Sequence, residues 1–231
     1  MSIDNKDAVE TVKQAVEWLQ ENPILVGAFF GLGILNVLGD VSGFFNLIGT
    51  IAAIYLNSIA QLFAREELAG NTPAFEEASS QVIDRFLPIA AVSIATALIV
   101  GIGLVLLILP GIYLALRLSL ALPACVLGEE DIVDSLKTSW GLTSGILTKI
   151  FKLGVMTVGV MLVGSFLIGM LFGSPGFGIG GLLTAALTAV VVPVLQMSLA
   201  RIYLEAVDGE STPDSPEPTE AGAVDEAPVA N

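Results

Sequence analysis

Six stretches of the chain, residues 23–39, 41–64, 86–109, 112–127, 150–172 and 182–204, are apolar runs with almost no charge. A helix needs about 17–25 such residues to cross the hydrocarbon of a bilayer. In that solvent a chain must satisfy its own backbone polar groups, which a helix does. The runs therefore predict an all-α integral membrane bundle of about six transmembrane helices, filling residues 1–206 as one domain. Composition agrees, because only 14% of residues are charged, against about 25% in soluble domains.

Three polar segments carry helical periodicity instead. In the first, Ala8, Val9, Val12, Ala15, Val16 and Leu19 recur at three- and four-residue steps, the signature of an amphipathic helix. Asp4 or Asp7 can cap it. The second follows the turn at Asn71-Thr72-Pro73. The third follows the acidic break 128–131 and sets Ile132, Leu136, Trp140, Thr143 and Leu147 on one face. Trp18 and Trp140 suit the role of interfacial anchors. Each amphipathic helix precedes a pair of spans, but the three units share few residues when aligned on Trp18, Phe86 and Trp140.

Basic residues are placed on one side of this map. Lys6 and Lys13 precede the first span, Arg65 and Arg85 lie between the second and third, and Lys137, Lys149 and Lys152 lie between the fourth and fifth. Arg201 is near the end of the sixth. The turns near Asp40, Pro110 and Gly173 hold no Lys or Arg. By the positive-inside rule both termini are cytoplasmic, in the cell membrane, and the three amphipathic helices lie on the cytoplasmic face. The first 23 residues are polar and mixed in charge, so no cleavable signal is expected and the first span acts as its own insertion signal.

The net charge of −14 argues against nucleic acid and anionic head groups as main partners. Its excess of acids over a sparse Lys content resembles the composition of proteins from salt-loving archaea. Residues 207–231 hold seven acids, four prolines and no basic residue, which predicts a disordered acidic tail. With no His and one Cys, neither a disulfide within the chain nor a Cys/His metal site is available. Cys125 is read as a small apolar helix residue. No cofactor is expected.

Between residues 109 and 145 a more specific pattern appears: Pro110-Gly111-Ile112-Tyr113, Arg117, Pro123, the acidic break, Ser139-Trp140, Leu142-Thr143 and Gly145. This order resembles the membrane-domain family associated with glycerophosphoryl diester phosphodiesterases, and related six-span domains of unknown function. Elsewhere the likeness is one of architecture. In fused members of that family a separate soluble barrel, using His and carboxylates around a metal, performs the hydrolysis. The resemblance therefore implies a six-span bundle here and no phosphodiesterase activity, since this chain has neither the His nor the room for that barrel.

Arg117 is the most informative single residue. If Gly111 sits at the outer boundary, Arg117 lies about 9 Å deeper, where an arginine is costly unless paired or hydrated. Two readings stand. It forms a structural ion pair or bonds helix-end carbonyls, or it lines a polar cavity for an anion or lipid head group. Asp40, the only acid in the three outer turns, is its candidate partner. Asn57, Ser58, Gln61 and Gln196 give two spans a polar side, for bonds between helices or for a pathway. Gly27 with Gly31, and Gly169 with Gly173, are small-residue pairs that permit close helix packing. Gly101 to Gly103 lies inside a span, and the loop 173–181 lacks a following P-loop Lys, so neither is a nucleotide site.

No catalytic cluster is apparent. The leading expectation is a non-enzymatic membrane scaffold that organises lipid, or a protein partner at the cytoplasmic face. The competing one is a small transporter or flippase-like protein with a polar cavity around Arg117. Topology can be tested in intact cells on a Cys125→Ser background. Single cysteines at Asp40 and Gly176 are expected to react with an impermeant thiol reagent, and cysteines at Asn71 or in the tail are not. Labelling of the tail from outside would reverse the assignment.

Overall fold

The computed structural model describes residues 8–39, 42–173 and 178–210. Among them the secondary structure is helical, without strands. The order is α1 (Ala8–Glu21), α2 (Pro23–Gly39), α3 (Gly43–Leu68), α4 (Phe75–Asp84), α5 (Phe86–Leu106), α6 (Ile108–Arg117), α7 (Ala121–Leu127), α8 (Ile132–Phe172) and α9 (Ile179–Glu210). The expectations placed on Asp4, Asp7, Lys6, Asp40, residues 174–177 and the tail beyond Glu210 lie outside the described residues.

Five units are long and apolar enough to cross a membrane: α3, α5, α6 with α7, α8 and α9. The 17-residue α2 joins them only together with α1, from which it bends by 95°. Pro23 causes the bend. It cannot continue a helix entered from Asn22, yet it suits the first position of a new one. The Asn22 side chain holds the corner, donating to Trp18 O at 2.8 Å and to Glu67 Oε1 of α3 at 2.6 Å.

Helix α9 is the spine of the bundle and packs against α1, α2, α3, α7 and α8. The larger core gathers Leu25, Phe29, Ile59, Phe63, Val82 and Met197 from four helices. A second cluster joins Leu120, Leu142, Ile150, Leu153, Ile202 and Tyr203. Outward faces are apolar too: Val105, Leu109, Phe166 and Met170 are each at least 70% exposed.

Several boundaries differ from the expected ones. The third span ends at Leu107, whose extended backbone separates α5 from α6, and not at Pro110-Gly111. Pro110 sits in the first turn of α6, where its missing N–H leaves no bond unmade. The fourth span is two helices, parted at residues 118–120. The third amphipathic helix and the fifth span are one helix, α8, kinked at Ile146, because residues 147–149 contain no breaker. Helix α9 continues through Pro193 and on to Glu210, past the expected tail boundary.

The buried side of α1 is Ala8, Thr11, Ala15, Trp18 and Leu19, while Val9 points outward. Trp18 is buried in the main core. Its ring therefore fastens α1 to the bundle and not to an interface outside it. Of the expected face only Val9 turns outward: Ala8, Ala15 and Leu19 are buried, and Val12 and Val16 pack partly against the core.

The expected small-residue pairs are not the close approaches. A Cβ added at Gly27, Gly31 or Gly169 would meet nothing within 4 Å. At Gly33 it would lie 2.7 Å from Ala185 Cα, and at Gly111 2.6 Å from Leu104 Cα. Gly33 lets α2 close on α9, and Gly111 lets α6 fold back on α5. Gly33→Ala is accordingly expected to lower stability by about 1–3 kcal/mol through overpacking. Gly27→Ala should be neutral or stabilise by up to about 1 kcal/mol. Unfolding titrations of the two variants in mixed micelles check the contrast.

Candidate functional site

The break between α6 and α7 begins with Pro123. A proline inside a helix removes one N–H and its ring collides with the carbonyl four residues earlier. Here that carbonyl belongs to Ser119, and the helix gives way at residues 118–120. Ala121 N then bonds Leu118 O at 3.1 Å, in place of Arg117 O. Leu116 O is occupied by Ser119, whose hydroxyl donates at 2.8 Å. The carbonyl of Arg117 and the N–H of Leu120 are among the backbone groups left without helical partners.

Helix α8 supplies both. Ser139 Oγ donates to Arg117 O at 2.8 Å and accepts from Leu120 N at 3.1 Å. Thr143 Oγ1, one turn later, donates its one proton to Ser139 O at 2.7 Å and lies 3.2 Å from Arg117 O. Ser139 and Thr143 are fully buried. The face of α8 that turns inward thus carries Ser135, Ser139, Leu142 and Thr143. Of the expected face only Thr143 is fully buried, while Ile132 and Trp140 are exposed. The reason is the broken partner helix: its loose backbone groups need hydroxyls, and the apolar side chains turn away.

Arg117 is the last residue of α6, on the flank of the bundle. Its Nε donates to the Tyr113 hydroxyl at 2.8 Å and its Nη1 to Trp140 O at 3.1 Å. The guanidinium carbon lies 5.2 Å from the centroid of the Tyr113 ring and 5.1 Å from that of Trp140. The two rings meet edge to face at 87°, so the cation rests in a corner with two π walls. Among the described residues no carboxylate reaches it. Its expected partner, Asp40, lies outside them.

The other motif residues build the frame. Gly111 permits the α5–α6 contact, Pro110 opens α6, and Gly145 adjoins the kink at Ile146. The acidic break is held from the junction of α4 and α5. Arg85 Nη2 donates to Glu129 O at 2.6 Å, and Glu129 adopts a left-handed φ of 55°. Beside Arg85 a cavity of about 220 Å³ opens between α3, α4, α5 and α7, lined by Gln81, Asp84 and Glu129 as well as apolar residues.

Two buried polar contacts were not foreseen as pairs. Gln61 Nε2 donates to Gln196 Oε1 at 2.9 Å between α3 and α9. Arg201, expected only as a flanking charge, is 1% exposed. Its Nε donates to Glu205 Oε1 at 2.9 Å, and Lys149 Nζ reaches Glu205 Oε2 at 3.1 Å. The i,i+4 spacing of Arg201 and Glu205 was the available signal; the distant Lys149 had none. Among the described residues no group of three potential metal ligands converges.

Comparison with protein families matches residues 79–212 to the domain of unknown function DUF7847. The match spans more than half of the chain, from the middle of α4 through α9, and the chain belongs to that family. No curated protein and no solved structure matches it.

The tie across the break makes a quantitative expectation. Ser139→Ala strands a buried N–H and weakens the hold on Arg117 O, costing about 1–3 kcal/mol. Ser144→Ala, whose exposed hydroxyl bonds only Gly141 O, should change stability by less than about 0.5 kcal/mol. Parallel thermal and denaturant unfolding in one detergent checks the difference.

Proposed function

We propose that this member of the DUF7847 family is a non-catalytic integral membrane protein that organises lipid around a rigid bundle. In this reading α1, α4 and the start of α8 face the cytoplasm. The observation that carries it is the use made of the motif residues: Ser139, Tyr113 and Trp140 hold a broken helix and its arginine at the perimeter of the bundle. The exposed apolar faces of α5, α6 and α8 support a lipid surround.

Orientation has support from the polar contacts. Asn22 with Glu67, Arg65 with Gln81, and Arg85 with the 128–131 loop join one end of the bundle. That end therefore collects basic residues, as a cytoplasmic face does. Kinship with the membrane domains associated with glycerophosphoryl diester phosphodiesterases belongs to the same proposal, as does the acidic tail adapted to high salt.

A transport reading draws on one observation, the polar seam of Asn57, Ser58, Gln61 and Gln196 inside the bundle, where Asn57 Oδ1 and Gln61 Oε1 have no hydrogen-bond partner among the described residues. Buried unpaired acceptors invite water. Membrane fractionation followed by reconstitution separates the readings. The protein is expected to stay in the bilayer fraction through alkaline extraction, and its proteoliposomes to pass solute and scramble lipid no faster than empty vesicles. Release by alkali would refute the embedding. Flux that Gln61→Leu abolishes would establish transport instead.

A further inference from the structure

The Arg117 corner has unused capacity. A guanidinium carries five N–H donors in a planar fork. Tyr113 and Trp140 O take two of them. Among the described residues the other three meet no acceptor, and the group is not sealed in: Arg117 is half-buried, with Tyr113 and Trp140 41% and 43% exposed. Exposed Leu109, one turn before Tyr113, continues the same flank. A cation held on an apolar flank is costly unless its donors are paired or hydrated, and an anion would pair the three that remain.

The geometry selects the kind of anion. Two bonds and two ring walls fix the guanidinium plane before any ligand arrives, so little rotamer freedom is left to lose on binding. A fixed planar fork matches two oxygens of a phosphate, which a lysine cannot reproduce. The tryptophan and tyrosine rings are amphipathic and suit the head-group level of a bilayer. The net charge of −14 does not oppose a local site, because charges beyond about 10 Å are largely screened in salt.

We propose that Arg117, Tyr113 and Trp140 form a lateral binding site for a phosphate group, that of a phospholipid at the perimeter of the bundle. This rests on the bilayer-embedded reading above. Tyr113 and Trp140 O are positioning groups, and the outward N–H groups of Arg117 make the contact.

A Trp18→Phe background leaves Trp140 as the single tryptophan and as reporter. Protein purified in a neutral sugar detergent is titrated with short-chain phosphatidylglycerol, with a diacylglycerol of equal chain length and with inorganic phosphate. Saturable change in Trp140 emission is expected with phosphatidylglycerol and none with diacylglycerol. Arg117→Gln should weaken phosphatidylglycerol binding by about tenfold or more, the loss of a charge-assisted bond. Arg117→Lys should fall between it and the parent. A response to inorganic phosphate as strong as to the lipid identifies free phosphate as sufficient. Its absence identifies the lipid as the source.

Equal binding of phosphatidylglycerol and diacylglycerol would overturn the proposal, as would an Arg117→Gln protein with undiminished affinity. Should Arg117→Gln fail to fold, Arg117→Lys decides alone: parental affinity overturns the forked contact. Embedding is read separately, from alkaline extraction of native membranes. A protein that stays embedded but binds no phosphate sinks this site only.

Discussion

A proline cannot donate a backbone N–H, and Pro123 places that defect inside a helical unit of 20 residues. In apolar surroundings each unsatisfied backbone group costs several kcal/mol. The arrangement of α6, α7 and α8 follows from meeting that cost. Ser139 reaches the freed groups only if the start of α8 lies along the break. Its polar side must then face inward and its tryptophan outward. Trp140, so turned, offers its ring and its carbonyl to Arg117. One backbone defect thus links residues that are far apart in the chain.

The bundle handles its two inner arginines by different means. Arg201 is buried, and Glu205 with Lys149 surrounds it with charge. Such a cluster is costly to desolvate, and removing one member would strand the others. Arg117 stays at the flank and relies on π faces, a hydroxyl and a carbonyl. The first arrangement closes a junction between α8 and α9. The second leaves donors pointing outward, which distinguishes a site from a clasp.

Much of the architecture was legible in the order of apolar and polar runs. Helix α2 spans the residues expected of the first span, and α5 starts where expected, because proline, glycine and charge mark those ends locally. The break at residues 118–120 was less legible. Pro123 is plain in the sequence, but the apolar run continues through it and does not mark where the helix parts. The inward face of α8 was misread because amphipathic patterning assumes that polar residues seek water. Here Ser139 bonds a broken helix 19 and 22 residues away, and Thr143 bonds the backbone of its own helix. Trp18 was misassigned for a related reason, since a tryptophan near a helix end suits both an interface and a core. At the site, Arg117, Tyr113, Ser139 and Trp140 were all singled out, while their mutual contacts needed the tertiary structure.

The central claim is that the outward apolar faces meet lipid and the polar seam does not. Spin labels at Val105, Leu109, Phe166 and Met170, with a further label at Gln61, measure it in reconstituted bilayers. Power saturation should show the four outward sites accessible to dissolved oxygen and closed to a water-soluble nickel chelate. The label at Gln61 should be closed to both. Ready collision of the nickel complex with the outward sites would place those faces in water and contradict the account.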